Sequence, residues 1–218
     1  MSKQVIIMRG ISGSGKSTAI LDTLKVTSQA SQVLRGNIWY PSDDSRESDG
    51  IMLYTESNHA DMNAEDPLVR VVSADYFFHV NGGGRYGEPL FSGMYYFEAS
   101  KLGEAHAICF NTYVESLMSE IPDIVYVDNT NCNLWEISPY IQTAHKFGWN
   151  VKIIEILCDI EEAHERSIHQ VPLNSVQAQE KALHFNQIPP FWANITVEKR
   201  LAKSKIRKTP EQEGIRHA

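Results

Sequence analysis

Residues 10–17 read Gly-Ile-Ser-Gly-Ser-Gly-Lys-Ser, and their spacing fits the pattern GxxxxGK[ST]. The chemistry such a run can do is the cradling of phosphate. Glycines let successive backbone N–H groups curl around phosphate oxygens where a side chain would intrude. A helix opening beside Lys16 adds the partial positive charge of its N-terminus. In that arrangement Gly10, Ser12, Gly13, Ser14, Gly15 and Thr18 surround the phosphates. Lys16 bridges the β- and γ-phosphates of a nucleoside triphosphate, and the Ser17 hydroxyl ligates Mg2+.

Two carboxylates can serve the same phosphates. Asp128 closes the apolar run Ile124-Val-Tyr-Val127, which places it at the C-terminal edge of a sheet, where a glycine loop of this kind also lies. From there it can help hold Mg2+. The next residue is Asn129, where ATP-driven motors carry a water-activating glutamate, so a substrate hydroxyl fits better than water as the acceptor. The absence of an [NT]KxD guanine-reading motif favours ATP over GTP. A hydroxyl acceptor needs a base, and Asp75, just after the run Leu68-Val-Arg-Val-Val72, can take its proton. The same aspartate could instead cap a helix starting at Tyr76.

The elements that must position these groups alternate between strand and helix. Short apolar runs at 4–8, 68–72, 124–127, 151–157 and 195–197 predict strands, and helical spacing appears over 18–29, 97–119, 134–147, 160–168 and 175–185. For the last of these helices, Asn174 followed by Gln177 suggests a capping box. The alternation predicts an α/β fold in three layers, with a central, mainly parallel sheet of about five strands and helices on both faces. Residues 1–198 are read as a single domain. Its one discordant stretch is 41–66, with eight acidic residues against one arginine, which reads as an exposed acidic insertion. Residues 199–218 form a basic C-terminal tail, either a solvated end or a strand-binding element.

Composition bounds the function classes. The 218 residues are 42% hydrophobic and 22% charged, with a formal net charge of −7, an ordinary globular balance that excludes wholesale disorder. Residues 1–195 hold 13 basic and 24 acidic side chains, whereas 196–218 hold 7 and 3. An acidic body repels polyanions, so nucleic acid would need a local positive groove or the tail. No apolar run is long enough for a membrane helix, and the four apolar residues before Arg9 are too few for a signal peptide. Cys109, Cys132 and Cys158, odd in number and widely spaced, read as free thiols, which points to the cytoplasm. His164-Glu165 and His169 miss the HExxH spacing, because a five-residue step turns a helix by roughly 140°. The glycines at 82–84 with Arg85 read as a loop, and Trp135, Trp149 and Trp192 as packing anchors.

Taken together, residues 10–18, Ser73-Ala-Asp75, Asp128-Asn-Thr-Asn131 and Arg166-Ser-Ile-His-Gln-Val-Pro172 resemble the P-loop kinases of the polynucleotide 5′-hydroxyl kinase type. The stretch 97–135, with Leu102-Gly-Glu-Ala-His106 and Asn129-Thr-Asn131-Cys-Asn-Leu-Trp-Glu136, looks closer still to an ATP-binding, AAA-type or zeta-toxin-like kinase group of that superfamily. The resemblance covers roughly residues 4–35 and 69–192. It implies a P-loop kinase fold, ATP and Mg2+, with Lys16 and Ser17 on nucleotide and metal, Asp128 near the metal or the acceptor, and Asp75 as general base. It also implies that Arg166 belongs to a lid over the phosphates, a task suited to a planar, permanently charged fork; an ion pair with Glu162 at i, i+4 is the competing reading. Two departures stand out. Tyr76-Phe77-Phe78 occupy the place where polynucleotide kinases carry an acceptor-gripping arginine, and residues 160–181 offer only Arg166 and Lys181 as cations besides histidine. The expected activity is transfer of the γ-phosphate of ATP to a hydroxyl, foremost the 5′-hydroxyl of a single-stranded polynucleotide. The alternatives are a small metabolite, nucleoside or nucleotide sugar as acceptor, or an ATP-binding switch with little turnover.

Overall fold

The computed structural model describes residues 2–27, 32–35, 54–57, 67–81, 95, 97–167 and 169–203. The elements run β1 (Gln4–Arg9), α1 (Lys16–Thr27), β2 (Gln32–Arg35), β3 (Tyr54–Ser57), β4 (Leu68–Val72), α2 (Asp75–Asn81), α3 (Leu102–Ser119, after a 3-10 turn over Ala99–Lys101), β5 (Ile124–Asp128), α4 (Leu134–Lys146), β6 (Asn150–Leu157), α5 (Ile160–Arg166), α6 (Leu173–Phe185) and β7 (Ile195–Leu201). The strands form one sheet in the order β3-β2-β4-β5-β1-β6-β7. All neighbours are parallel except β2 and β3.

Strand alternation builds the layers. In β1, Val5 and Ile7 face one side, where α3 and α4 supply Cys109, Tyr113, Leu117, Ile137 and Ala144. Ile6 and Met8 face the other, where α1 brings Ile20 and Leu24. Because β1 is central and covered on both faces, it reads as an unbroken apolar run. A third cluster, Ile11, Cys132, Ala163, Val176 and Leu183, joins α5 and α6 to the C-terminal edge of the sheet.

All five expected strands are present, and the α/β layering is as the sequence implies. The sheet is wider than about five strands, however, because two four-residue strands extend the β4 edge. One of them, β3, lies inside the acidic stretch 41–66; strand pairing through the backbone needs no apolar run. The remainder of that stretch, the loop at 82–85 and the tail beyond 203 lie outside the described residues. β7 continues to Leu201, so Lys199 and Arg200 belong to the sheet and not to the tail. α6 starts earlier than the Asn174–Gln177 pattern suggests. Its first carbonyl acceptor is Pro172, bonded by Ser175 N at 2.9 Å, and the ring fixes the φ needed there. α5 stops at Arg166, where Ser167 turns extended. Trp149 is buried and Trp192 packs on the main core, whereas Trp135 is 72% exposed among the described residues and is no core anchor there.

Candidate active site

The glycine run forms the turn from β1 into α1. At Gly13, with φ +78°, an added Cβ would lie 1.9 Å from the carbonyl oxygen of Ala163, so only glycine lets the loop press against α5. The Lys16 ammonium folds into the loop, donating to the carbonyls of Gly10 at 3.0 Å and Ile11 at 2.9 Å. Burial pulls its pKa down, with Asp128 the foremost group opposing that shift. Ser14 Oγ is buried with no hydrogen-bond partner among the described residues. The Gly10 N–H is already committed to the Thr130 carbonyl at 2.9 Å, and the Ser12 N–H to Gln179 Oε1 at 2.8 Å.

The end of β5 meets this loop directly. Ser17 Oγ donates to Asp128 Oδ2 at 2.6 Å. The four residues from Asp128 to Asn131 also staple the neighbouring turns. Ser73 Oγ donates to the Asp128 carbonyl at 2.7 Å, the Ala74 N–H to Asn129 Oδ1 at 2.9 Å, and Asn131 Nδ2 to the Met8 carbonyl at 2.7 Å. Asn131 has φ +51°, a conformation asparagine tolerates better than most residues. These bonds fix the β4–α2 junction against β5, which brings Asp75 to the same cleft.

Asp75 is the first residue of α2, not its cap; its N–H donates to Ser73 Oγ at 3.3 Å. Its half-exposed carboxylate receives the Tyr95 hydroxyl on Oδ1 at 3.1 Å, and His169 Nε2 stands 3.8 Å from Oδ2. Arg166 ends α5 with its guanidinium bonded to Glu162 and to the Lys203 carbonyl. It also reaches the loop, with Nη1 3.9 Å from the point where a Gly15 side chain would begin. The ion pair and the position over the phosphate loop therefore coexist. Lys203 in turn pairs with Asp22 of α1 at 2.8 Å, and Arg200 Nη1 donates to Thr23 Oγ1 at 3.3 Å. A cleft of about 740 Å3 results, of a size suited to a nucleotide. Of the residues named from sequence, Ser12, Gly13, Gly15, Lys16, Ser17, Thr18, Asp75, Asp128 and Arg166 line it, whereas Gly10 and Ser14 are buried behind it.

Comparison with known proteins identifies the family and likenesses of fold. The profile of the AAA domain family AAA_33 matches residues 5–187. The chain belongs to this family. The P-loop, kinase-like character of AAA_33 is the one the motifs resemble. Human NEDD4-binding protein 2 is 30% identical over 90 residues, which is 41% of this chain and 4% of that protein. Among solved structures, a chain of the PezAT chromosomal toxin–antitoxin system of Streptococcus pneumoniae superposes with a TM-score of 0.50 at 12% identity, covering 92% of this chain and 68% of that one. A chain of the Pnkp1/Rnl/Hen1 RNA repair complex gives a TM-score of 0.47 at 12% identity, covering 84% and 45%. A gluconokinase from Sinorhizobium meliloti gives 0.43 at 11%, covering 92% and 83%. These likenesses are of fold.

Several residues that shape this AAA_33 site were not singled out from sequence. Arg9, fully buried one residue before the loop, forms an ion pair with Glu155 and donates to the carbonyls of Asn131 and Cys132, each at 3.0 Å, and of Asn186. The available signal was a charge in each of two apolar strands, which parallel pairing sets opposite one another as Arg9 and Glu155. Tyr95 had no signal of its own, and His169 was noted only in a near miss for a metal motif and in the segment after Arg166; neither pointed to Asp75, which they reach from 20 and 94 residues away. Among the described residues no helix is long and apolar enough to cross a membrane.

Proposed function

We propose that the protein is an ATP-dependent phosphotransferase whose acceptor is a hydroxyl group. The observation that carries this reading is the convergence of Lys16, the Ser17–Asp128 contact and the half-exposed Asp75 carboxylate on one cleft. Gly13, Gly15, Lys16 and Thr18 bind the phosphates, and Lys16 and Arg166 balance the charge on the transferring group. The acceptor oxygen bonds to the γ-phosphorus as the bond from that phosphorus to the β–γ bridging oxygen breaks. The bridging electron pair leaves with ADP, and the acceptor's proton passes to Asp75. Ser17 and Asp128 present two hard oxygens 2.6 Å apart, which fits Mg2+, a cation that takes few protein ligands and completes its shell with water and phosphate oxygen. When bound there, Mg2+ supplies neutralisation of phosphate charge.

For the acceptor we place the 5′-hydroxyl of a polynucleotide first, on the order of the motifs and on the cations Arg200 and Lys203 at the rim of the cleft. A second reading, a small metabolite, nucleoside or nucleotide sugar, is favoured by the burial of Tyr76, Phe77 and Phe78. None of the three offers the acceptor a base platform, and none is a cation. Transfer of labelled γ-phosphate to a 5′-hydroxyl oligonucleotide, beside a panel of nucleosides, sugars and nucleotide sugars, separates these readings, with Lys16→Ala as the blank. Label on the oligonucleotide alone supports the first, and label on a small molecule alone the second. No label anywhere, with ATP still bound, removes the phosphotransferase reading in favour of a switch.

A further inference from the structure

A carboxylate that accepts a proton in flight must point one oxygen at the acceptor, and geometry of that kind is lost if the side chain turns freely. Asp75 is 52% exposed at the start of its helix, so its own packing does not hold it. Something else must, and Tyr95 is placed to do so. Its hydroxyl donates to Asp75 Oδ1 at 3.1 Å. The phenol stays protonated as a donor, because burial pushes its pKa up and the neighbouring Asp75 pushes it further.

The tyrosine ring has a seat of its own. It stacks on His169 with centroids 3.9 Å apart and 33° between planes, and it meets the edge of Phe78 at 5.9 Å and 65°. Phe78 is 2% exposed in the main core and lies on α2, the helix that opens with Asp75. The residue that holds the carboxylate and the carboxylate itself are thus referred to the same helix. Phe78 belongs to the aromatic trio standing where an acceptor-gripping arginine would be expected, and here its role is to support Tyr95. The two carboxylate oxygens differ as a result. Oδ1 has a hydroxyl donor, whereas Oδ2 faces His169 Nε2 at 3.8 Å, beyond hydrogen-bond distance and wide enough for an incoming hydroxyl to compete.

We propose that Tyr95 is a positioning residue of the transfer reaction: it holds Asp75 by Oδ1 and so presents Oδ2, on the His169 side, to the acceptor hydroxyl. This inference rests on the phosphotransferase reading above. The test pairs kinetics with a measurement that needs no turnover. Tyr95→Phe keeps the ring and removes the donor. With the acceptor found in the labelling panel, kcat falls at least threefold and the KM for ATP stays within twofold, because the nucleotide half of the cleft is untouched. In protein carrying 13Cζ-labelled tyrosine, the signal that disappears in Tyr95→Phe is Tyr95, and it shifts in Asp75→Ala.

A smaller fall in kcat, or a rise in the KM for ATP in its place, overturns the positioning role and leaves the phosphotransferase standing. A Tyr95 signal that ignores Asp75→Ala shows that the contact is absent and overturns it as well. If the signal responds but the wild-type protein phosphorylates no hydroxyl, the phosphotransferase reading has failed and takes this role with it. That pattern is distinct from the other two.

Discussion

The two halves of the cleft are built differently. On the nucleotide half, backbone does much of the holding: the Gly10 N–H is bonded to Thr130, Lys16 to two loop carbonyls, and Ser17 to the buried Asp128. Beneath it lies the buried Arg9–Glu155 pair. On the acceptor half, Asp75 is half exposed and bonded to Tyr95, with His169 standing 3.8 Å away, side chains from two distant segments. The nucleotide site is therefore set before its ligand arrives, whereas the acceptor side is made of parts that can be exchanged without disturbing the sheet. On the reading proposed above, specificity belongs on that second half.

The sharpest way to test this division is Asp75→Asn. The side chain keeps its size and loses the ability to take a proton, so kcat falls by about 10²–10⁴-fold. ATP affinity by equilibrium titration stays within twofold of wild type. A parallel loss of ATP binding would show that the halves are not separable. The opposite test goes beneath the nucleotide half. Arg9→Met removes one partner of a buried pair and strands three carbonyls, costing about 3–5 kcal/mol in urea denaturation. Lys199, 3.2 Å from Glu155 on its exposed side, pulls that cost toward the lower end. The double variant Arg9→Met with Glu155→Leu recovers part of it, because no unpaired charge remains buried.

The same contrast explains what could be read from the sequence. Residues 10–17 and the apolar run into Asp128 are local patterns, and local patterns carry backbone conformation and strand order. The five parallel strands follow from period and run length. β2 and β3 escaped because each is four residues long, and β3 lies in a stretch read from its acidic charge, although the apolar run Ile51-Met-Leu-Tyr54 leads into it. Arg9 was legible only through its register with Glu155, which exists once β1 and β6 pair. Arg166 could be read as a phosphate ligand or as an i, i+4 partner of Glu162, and the fold allows both because α5 ends beside Gly15 of the loop. Tyr95 gave no local pattern, and the patterns around His169 pointed elsewhere than to Asp75. Their place beside Asp75 is a product of tertiary structure.

Asn129 ties the β4–α2 junction to the end of β5, so its loss should weaken the acceptor half, by less. Its Oδ1 accepts the buried Ala74 N–H at 2.9 Å, one residue before Asp75. Asn129→Ala leaves that donor unpaired and costs about 1–3 kcal/mol of stability by urea denaturation. It also loosens the β4–α2 junction, so kcat drops while the KM for ATP changes little. Equal effects on both constants would place Asn129 on the nucleotide itself.

The smallest effect on stability is expected at Lys16, and its sign is informative. A lysine buried in the loop, with two carbonyl bonds, prepays a desolvation cost that phosphate later offsets. Lys16→Met should therefore abolish transfer yet leave the nucleotide-free protein neutral to about 1 kcal/mol more stable. Its pH dependence follows from the lowered pKa of Lys16. Between the folded value and the unfolded value near 10.5, the unfolded chain binds more protons than the folded one, so wild-type stability gains as pH rises through that window. The methionine variant has no such group. The stability difference between the two proteins, measured by urea denaturation without nucleotide from pH 7 upward, should narrow as pH increases. Wild type more stable than the variant at pH 7, with an advantage that shrinks only as pH rises above about 10.5, would mean that Asp128 outweighs burial and that the loop already rewards the positive charge before any phosphate is bound.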